Sequence, residues 1–445
     1  MIPIDRRGGG IPEQLSIEKL IYGGDGLART PAGPDGRSLA VFVPFVLPGE
    51  RVEAEIAQGK HGFARANVTG LVAPSSERIE PCCPYFQQCG GCHYQHIPYE
   101  RQLEFKAQIL RETFERVGKI ELKDEIRVHR SPPWNYRNRA RLQVRTASGF
   151  ALGYYRFGSR EFLPVRECPI SSPLINRVIA RLTELGGLDC PTAVEELELF
   201  ADASDEHLLG WAFCYREADA KDLHRWAEDV RHEWPTLIGL RFFSSRRRLE
   251  DEAPPDLKSL AQSGANALRY RTAQGEYQVS AGAFFQVNRH LVDELVSVVT
   301  GDAEGEVAFD LYAGSGLFSV PLAESFRHIF AVETSLTSSS DLKQNVPASV
   351  KVVGTRTEEY LRSGPVRKRP DLVVLDPPRT GVGKTVTRSL VELGARRIRY
   401  VSCDPATLAR DIALLVGSGY RIEGAHLFDL FPQTFHIESV MLLER

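Results

Sequence analysis

Residues 309–323 read FDLYAGSGLFSVPLA, an apolar run, a Gly-Ser-Gly turn and a second apolar segment. That order is strand, tight turn, helix. Glycines in such a turn let a ligand come close to the backbone, and the helix that follows offers unpaired N–H groups. The next apolar run ends at Glu333. This lies about twenty residues on, where an acid can bridge a ribose diol. A third glycine at the dinucleotide spacing is missing. The turn therefore suits a methionine-bearing nucleoside such as S-adenosylmethionine better than a pyrophosphate. A tight turn beside a surface glutamate is the plainer alternative.

Further apolar runs surround this unit. EVAFDLYA (306–313), HIFAVE (328–333), VKVVG (350–354), DLVVLDPP (371–378) and IRYVSC (398–403) alternate with helical segments. Continuous apolar strands between helices predict a doubly wound parallel sheet. The tail, YRIEGAHLFDLFPQTFHIESVMLLER, predicts two more strands. Ligands of open α/β sheets sit beyond the carboxyl ends of the strands. Three reactive groups fall at such ends: Asp376 in LDPPRTG, Cys403 in VSCDPATLARD and Glu438 in PQTFHIESV. His436 and Glu438 are two apart, a spacing that places both on one face of a strand. Singly, a cysteine after a strand is ordinary packing and an Asp before Pro-Pro is a turn.

Upstream, residues 11–73 carry short strand patterns separated by Gly, Pro and Asp, as in a small barrel. A helix is predicted over 98–118, and mixed strands and helices over 127–272 suggest an α+β domain, with a loop at DEAPPD (251–256). The chain has 445 residues, 42% hydrophobic and 25% charged, which points to a soluble globular protein of two or three domains. No apolar stretch approaches a membrane span and the N-terminus lacks a signal-peptide pattern, so a cytoplasmic protein is expected. The net charge of −3 excludes a globally basic nucleic-acid binder. Local basic stretches remain at 135–145, 244–249 and 366–370.

Residues 81–96, PCCPYFQQCGGCHYQH, hold four of the eight cysteines: Cys82, Cys83, Cys89 and Cys92. In a reducing compartment such clusters more often bind metal than form disulfides. The set lacks the two C-x2-C pairs of a zinc ribbon, although His93 and His96 keep zinc open.

Taken together, FFQVN (284–288), DLYAGSG, DPPRTG, SCDPATLARD and FPQTFHIE resemble, in order and spacing, the RNA uridine-C5 methyltransferases. The resemblance covers essentially the whole chain and is strongest for the iron–sulfur branch acting on 23S ribosomal RNA. It implies an OB-like TRAM β-barrel at 11–74 and an α+β middle domain with an iron–sulfur cluster at 75–94 and 127–272. A Rossmann-like class I methyltransferase domain would occupy 95–126 and 273–445. By the same resemblance Cys403 is the nucleophile that attacks uracil C6, Glu438 the base that removes the C5 proton, and Asp376 a contact to cofactor or target base. Phe284, Gln286, Tyr312, Gly314 and Glu333 match cofactor-binding positions for S-adenosylmethionine. The cluster motif C-x5-C-x2-C selects Cys83, Cys89 and Cys92 and leaves Cys82 spare. Cys168 matches the fourth ligand of a [4Fe–4S] cluster that would pin the cysteine loop to a strand region near 168. Partners implied are RNA, most of all 23S ribosomal RNA, and no membrane; a monomer is expected. Two departures from the family pattern stand out: Leu317 where Asn is common, and Thr355-Arg356 where Asp or Asn meets the adenine. Rival readings are a transfer-RNA T-loop methyltransferase, a radical or redox enzyme, and a non-catalytic RNA-binding factor.

Overall fold

Apolar residues at alternate positions in the first five strands all point one way, and that shared face closes the sheet. In a computed structural model describing residues 12–31, 38–57, 62–244, 257–301, 303–363 and 369–445, strands Pro12–Leu20, Asp25–Arg29, Ala40–Pro44, Arg51–Ile56 and Phe63–Ala73 form a closed barrel. Leu15, Ile17, Val41, Val43, Val52 and Ala54 fill it. The first strand is shared: Pro12–Ser16 pairs with the fourth strand and Ile17–Leu20 with the second. Sharing one strand between two neighbours removes the open edges that a five-stranded sheet would present. Glu50 is fully buried and fastens the barrel to the segment that follows. Its carboxylate accepts from Leu47 N at 2.8 Å, Ser75 N at 3.1 Å and the Arg78 guanidinium at 2.7 Å. Burial alone would raise its pKa, but Arg78 and the two amides outweigh burial and hold it below the ordinary range.

The chain divides into two compact units, Met1–Thr113 with Tyr155–Leu163 and Phe431–Ile437, and Phe114–Tyr154 with Pro164–Leu430 and Glu438–Arg445. The division falls where the helix Tyr99–Thr113 gives way to a single π-helical turn, Phe114–Gly118. In the second unit an eight-stranded sheet runs in the order Val350–Val353, Phe326–Val332, Gly305–Leu311, Leu372–Leu375, Arg397–Ser402, Glu438–Glu444, Arg421–Phe428, Arg127–His129. The first five are parallel, and Glu438–Glu444 runs antiparallel to both of its neighbours. All five apolar runs became parallel strands, and the tail became two strands as expected. The short strand Arg127–His129, read from sequence as the start of the middle domain, pairs instead with Arg421–Phe428. Three residues carry too little periodicity to show which sheet they join.

The middle segment forms a second sheet through Lys258–Gly264, Leu237–Ser244, Leu208–Cys214, Val194–Ala201, Arg139–Arg145, Ala151–Tyr155 and Phe162–Pro164. Helices Pro173–Glu184 and Ala220–Glu233 pack on it, as the α+β reading requires. A hairpin, Ala267–Thr272 with Gly275–Ser280, was not legible beforehand. It packs against the Ser-rich helix Leu336–Asn345. The buried Asp341 of that helix accepts from Ser280 N at 2.8 Å and Ser280 Oγ at 2.6 Å, while Asn345 accepts from Gln278 N at 2.7 Å. The loop expected at 251–256 and most of the basic stretches at 244–249 and 366–370 lie outside the described residues.

Candidate active site

Strand order reverses between Gly305–Leu311 and Leu372–Leu375, since the chain moves outward from the first of these and returns on its other side. Such a reversal opens a crevice at the carboxyl ends of the two strands. Tyr312 and Asp376 are the next residues on each.

Tyr312 has φ of 66°, a left-handed conformation that costs a non-glycine residue energy and tends to mark functional turns. Gly314 follows at φ 55°, with open space where a Cβ would project. Gly316 at φ 94° has no such room, because a Cβ there would lie 2.8 Å from Leu342 Cδ1. Both oxygens of Glu333 accept backbone N–H groups, from Gly314 at 2.9 Å and Ser335 at 2.6 Å. Each carboxylate oxygen retains a lone pair, so Glu333 can shape the turn and still accept from a ligand hydroxyl. Beneath the turn Asp310 is fully buried and accepts from Ser319 Oγ at 2.5 Å. Burial, more than the nearby Glu333, pushes its carboxyl up to about 7, against the pull of Ser319.

Asp376 is followed by two prolines, which end strand pairing. The loop beyond is held by Asp411, whose buried carboxylate accepts from Val382 N at 3.0 Å, Gly383 N at 3.3 Å and Tyr400 OH at 2.9 Å. Gly381 is required there, with φ 70° and a would-be Cβ 2.6 Å from Asp411. Cys403 lies between the strand Arg397–Ser402 and Asp404, the cap of the helix Pro405–Val416. The cap accepts from Ala406 N at 3.1 Å and Thr407 N at 2.8 Å, so the helix spends those donors internally.

Glu438 reaches this edge because its strand runs backwards. The start of an antiparallel strand lies beside the carboxyl end of its parallel neighbour, and Ser439 pairs with Ser402. Glu438 is buried, and Cys403 and Asp376 are partly buried. Their electrostatics show how near they are. Burial, then Glu438 and Asp376, push the Cys403 thiol up to about 12, while Arg379 pulls it down. Burial, then Asp310, raises Asp376 to about 7. Burial and then Asp376 hold Glu438 well above the carboxylate range, again opposed by Arg379. One cation, Arg379, thus opposes burial at both Cys403 and Glu438 in a partly desolvated cleft, an arrangement suited to passing a proton between a thiol and carboxyls.

His436 does not share a strand face with Glu438. The strand begins at Glu438, and His436 lies in the loop before it, its ring against Phe435 at 4.3 Å between centroids. Of the remaining predicted residues, Gln286 is buried and Phe284 is 57% exposed, so only Phe284 presents a free ring. Between them and the sheet, Asn288 donates to Ser131 Oγ at 2.9 Å and Leu430 O at 3.1 Å, fixing the FFQVN segment.

In the first unit Cys83, Cys89 and Cys92 are partly buried in an irregular loop, and Cys82 is exposed. Cys89 bridges to Arg156, Gly90 N donates to Tyr155 O at 3.1 Å, and Gly91 N lies 3.4 Å from Cys89 Sγ. His93 and His96 are core rings, not ready ligands. His93 packs on Phe157 and Phe435, and His96 on Phe86; burial lowers them to about 4 and about 3. Cys168, in the second unit, sits in a loop before the helix Pro173–Glu184 and not in a strand. Asn176 holds it on both sides, accepting from its N at 2.9 Å and donating to its O at 3.0 Å. Among the described residues no three His, Cys, Asp or Glu side chains are gathered as metal ligands.

Residues 367–445 match the tRNA (Uracil-5-)-methyltransferase family model, and residues 14–69 match the TRAM domain. A 23S rRNA (uracil(1939)-C(5))-methyltransferase RlmD from Chromohalobacter salexigens is 34% identical over 99% of this chain and 91% of its own. An uncharacterized RNA methyltransferase from Aquifex aeolicus is 32% identical over 97% of this chain and 98% of its own. The chain belongs to the RNA uracil-C5 methyltransferases. The crystal structure of Pyrococcus abyssi tRNA (uracil-54, C5)-methyltransferase in complex with S-adenosyl-L-homocysteine shares the fold, with a TM-score of 0.73 over 96% of this chain and 99% of that one at 24% identity. The five-stranded barrel is thus the TRAM domain of this uracil-C5 methyltransferase.

Sequence reasoning had not singled out Arg379, Asp411 or Asp310 in it. Arg379 was inside a quoted motif, but nothing in one sequence marks it as the cation nearest the cleft. Of the two departures, Leu317 is buried with its carbonyl accepting from Tyr277 OH at 3.1 Å, and Thr355 donates to Glu359 at 2.7 Å. Arg356 is exposed. Among the described residues no helix is long and apolar enough to cross a membrane.

Proposed function

We propose that the protein transfers a methyl group from S-adenosylmethionine to C5 of one uridine in 23S ribosomal RNA, through a transient bond between Cys403 and C6. The observation that carries this reading is the convergence of Cys403, Asp376 and Glu438 at neighbouring strand ends beside the Gly314 turn. The ribosomal substrate is supported by the relatives named for 23S rRNA that align along nearly the whole chain. A cytoplasmic location follows from that substrate.

The open space over Gly314, the spare acceptor capacity of Glu333 and the exposed ring of Phe284 fit a nucleoside-bearing cofactor. Bound, it supplies an electrophilic methyl on a sulfonium. The residues of the chain do the rest. The target base must leave its stack to reach the cleft. Cys403 adds to C6 as its proton passes to Asp376, which leaves the Glu438 carboxylate free for the later step. The added sulfur makes C5 nucleophilic. After methyl transfer Glu438 takes the C5 proton and Cys403 leaves.

We further propose that Cys83, Cys89, Cys92 and Cys168 hold a [4Fe–4S] cluster. Four thiolates are the donor set such a cluster takes, and the Gly91 N–H beside Cys89 Sγ is the kind of donor that stabilises a ligating sulfur. No chemical step requires it. The TRAM barrel would supply RNA affinity.

Mapping 5-methyluridine in ribosomal and transfer RNA after deleting the gene tests the substrate. Loss at one 23S position is expected; loss only in transfer RNA overturns it. With purified protein, Cys403→Ala should abolish both methylation and the protein–RNA adduct, whereas Glu438→Gln should make a methylated adduct accumulate. A Cys403→Ala protein that still methylates uridine would overturn the nucleophile.

A further inference from the structure

The loop that delivers Glu438 to the cleft is held far more tightly than a connection between strands requires. Residues 431–437 join Arg421–Phe428 to Glu438–Glu444, yet they belong to the first compact unit. At the loop's centre Gln433 has φ of 67°. A non-glycine residue persists in that conformation only when its surroundings over-determine it, and such strain clusters at functional sites.

The surroundings here are an amide clamp. Gln102, fully buried, accepts from Gln433 N at 3.0 Å and donates to Gln433 Oε1 at 3.0 Å. Its amide also reaches Ile97 O at 2.8 Å and Tyr94 O at 3.1 Å. Gln433 O accepts from His93 N at 2.9 Å and Tyr94 N at 3.0 Å. Lys106, fully buried, donates to Phe431 O at 3.0 Å. A satisfied buried network of this kind fixes one arrangement, and a broken one is costly. No group in it is reactive toward a uracil.

Two supports therefore fix Glu438: the strand ladder that pairs it with Phe428, and the clamp five residues earlier in the chain. Cys403 shares the ladder, since Ser402 pairs with Ser439, but makes no bond to the clamp. It is placed by its own strand and by the Asp404 cap. We propose that Gln102 and Gln433 are positioning residues for Glu438, tuning removal of the C5 proton without affecting attack by Cys403. The proposal rests on the methyltransferase reading above. In the tuned step the Glu438 carboxylate takes the C5 proton, and the C–H electron pair becomes the C5–C6 double bond as the C6–Sγ bond breaks, its pair leaving on Cys403 as thiolate.

The test follows one turnover of the full-length enzyme on ribosomal RNA from the deletion strain, with S-adenosylmethionine. Adduct is read on denaturing gels and released 5-methyluridine by nucleoside mass spectrometry. For Gln102→Leu and Gln433→Ala, adduct formation should stay within about twofold of the parent while adduct decay slows about tenfold, the scale of a small displacement of a reacting group. Gln433→Glu keeps the acceptor oxygen and should restore decay. Should Gln102→Leu fail to fold, the Ala and Glu variants at 433 decide between them. Unchanged decay, or formation and decay falling together, overturns the proposal. A parent enzyme that makes neither adduct nor 5-methyluridine refutes the underlying reading instead, and the proposal falls with it.

Discussion

Two cysteine-bearing regions of this protein are built in opposite ways. Cys403 stands at the end of a regular strand, and its neighbours Asp376 and Glu438 come from strands remote in sequence. Cys83, Cys89 and Cys92 lie within ten residues of one irregular loop, with short-range bonds such as Cys89 N to Tyr85 O at 2.8 Å and Phe86 N to Cys83 O at 3.1 Å. The first arrangement surrounds one thiol with acids and keeps its proton on. The second strings several thiols along one loop, with the Gly91 N–H 3.4 Å from Cys89 Sγ. The thiolate is the nucleophile, so Cys403 must pass its proton to a neighbouring group before it attacks. Topology sets the chemistry in one case and local spacing in the other.

The sharpest way to break this contrast is to compare reactivities. In the RNA-free protein, burial and the two carboxyls hold Cys403 near 12 against an ordinary value of 9.0. That rise leaves about a thousandfold less thiolate at neutral pH. Alkylation by iodoacetamide, followed peptide by peptide, should therefore be slower at Cys403 than at the exposed Cys82, and should climb with pH without a plateau below 10. Glu438→Gln should speed it. Rapid alkylation at pH 7 would mean that Arg379 outweighs the acids.

A second test concerns Asp310, which has no counterpart in the cysteine loop. Its carboxyl titrates near 7 when folded and near 3.8 when exposed. The native state therefore binds more protons than the unfolded state between about pH 4 and 7, and stability contributed at low pH is lost as pH rises through that window. The expected size is on the order of a few kcal/mol, since three units at 1.36 kcal/mol each is an upper bound. Glu50, with its lowered pKa, contributes with the opposite sign and is common to both proteins. Asp310→Asn should thus be flatter than the parent in denaturant titrations across that range. Identical slopes would show that Asp310 is ionised in the native protein.

The same contrast explains what the sequence disclosed. Parallel strands and the residues at their ends were legible because buried strands are continuous apolar runs and their carboxyl ends are fixed positions. Asp376 and Cys403 fell there, whereas Glu438 opens an antiparallel strand and reaches the same edge from its amino end. The barrel was legible from its alternation. Arg127–His129 was not, being too short for periodicity, nor was His436, since one residue of strand start decides whether it shares a face with Glu438. The over-determined Gln433 could not be read at all, because its partner Gln102 is remote in the chain and a left-handed φ leaves no mark on residue identity.

The smallest expected effect is the most discriminating for the cysteine loop. Cys82 and Cys83 are adjacent, yet only Cys83 satisfies C-x5-C-x2-C, and the two differ in surroundings. Cys82 is exposed, whereas Cys83 is partly buried with its N–H donating to Gln95 Oε1 at 3.3 Å. Adjacent residues in an irregular loop point in different directions, so they cannot exchange roles without the backbone turning, and the Gln95 bond resists that turn. Protein purified without oxygen should carry iron and sulfide with a broad visible absorption. Cys82→Ser should leave iron content, absorption and melting temperature unchanged, while Cys83→Ser should lose most of the iron. Equal loss in both variants would mean that the loop selects its ligand by exposure and not by spacing, and the local half of the comparison would have to be redrawn.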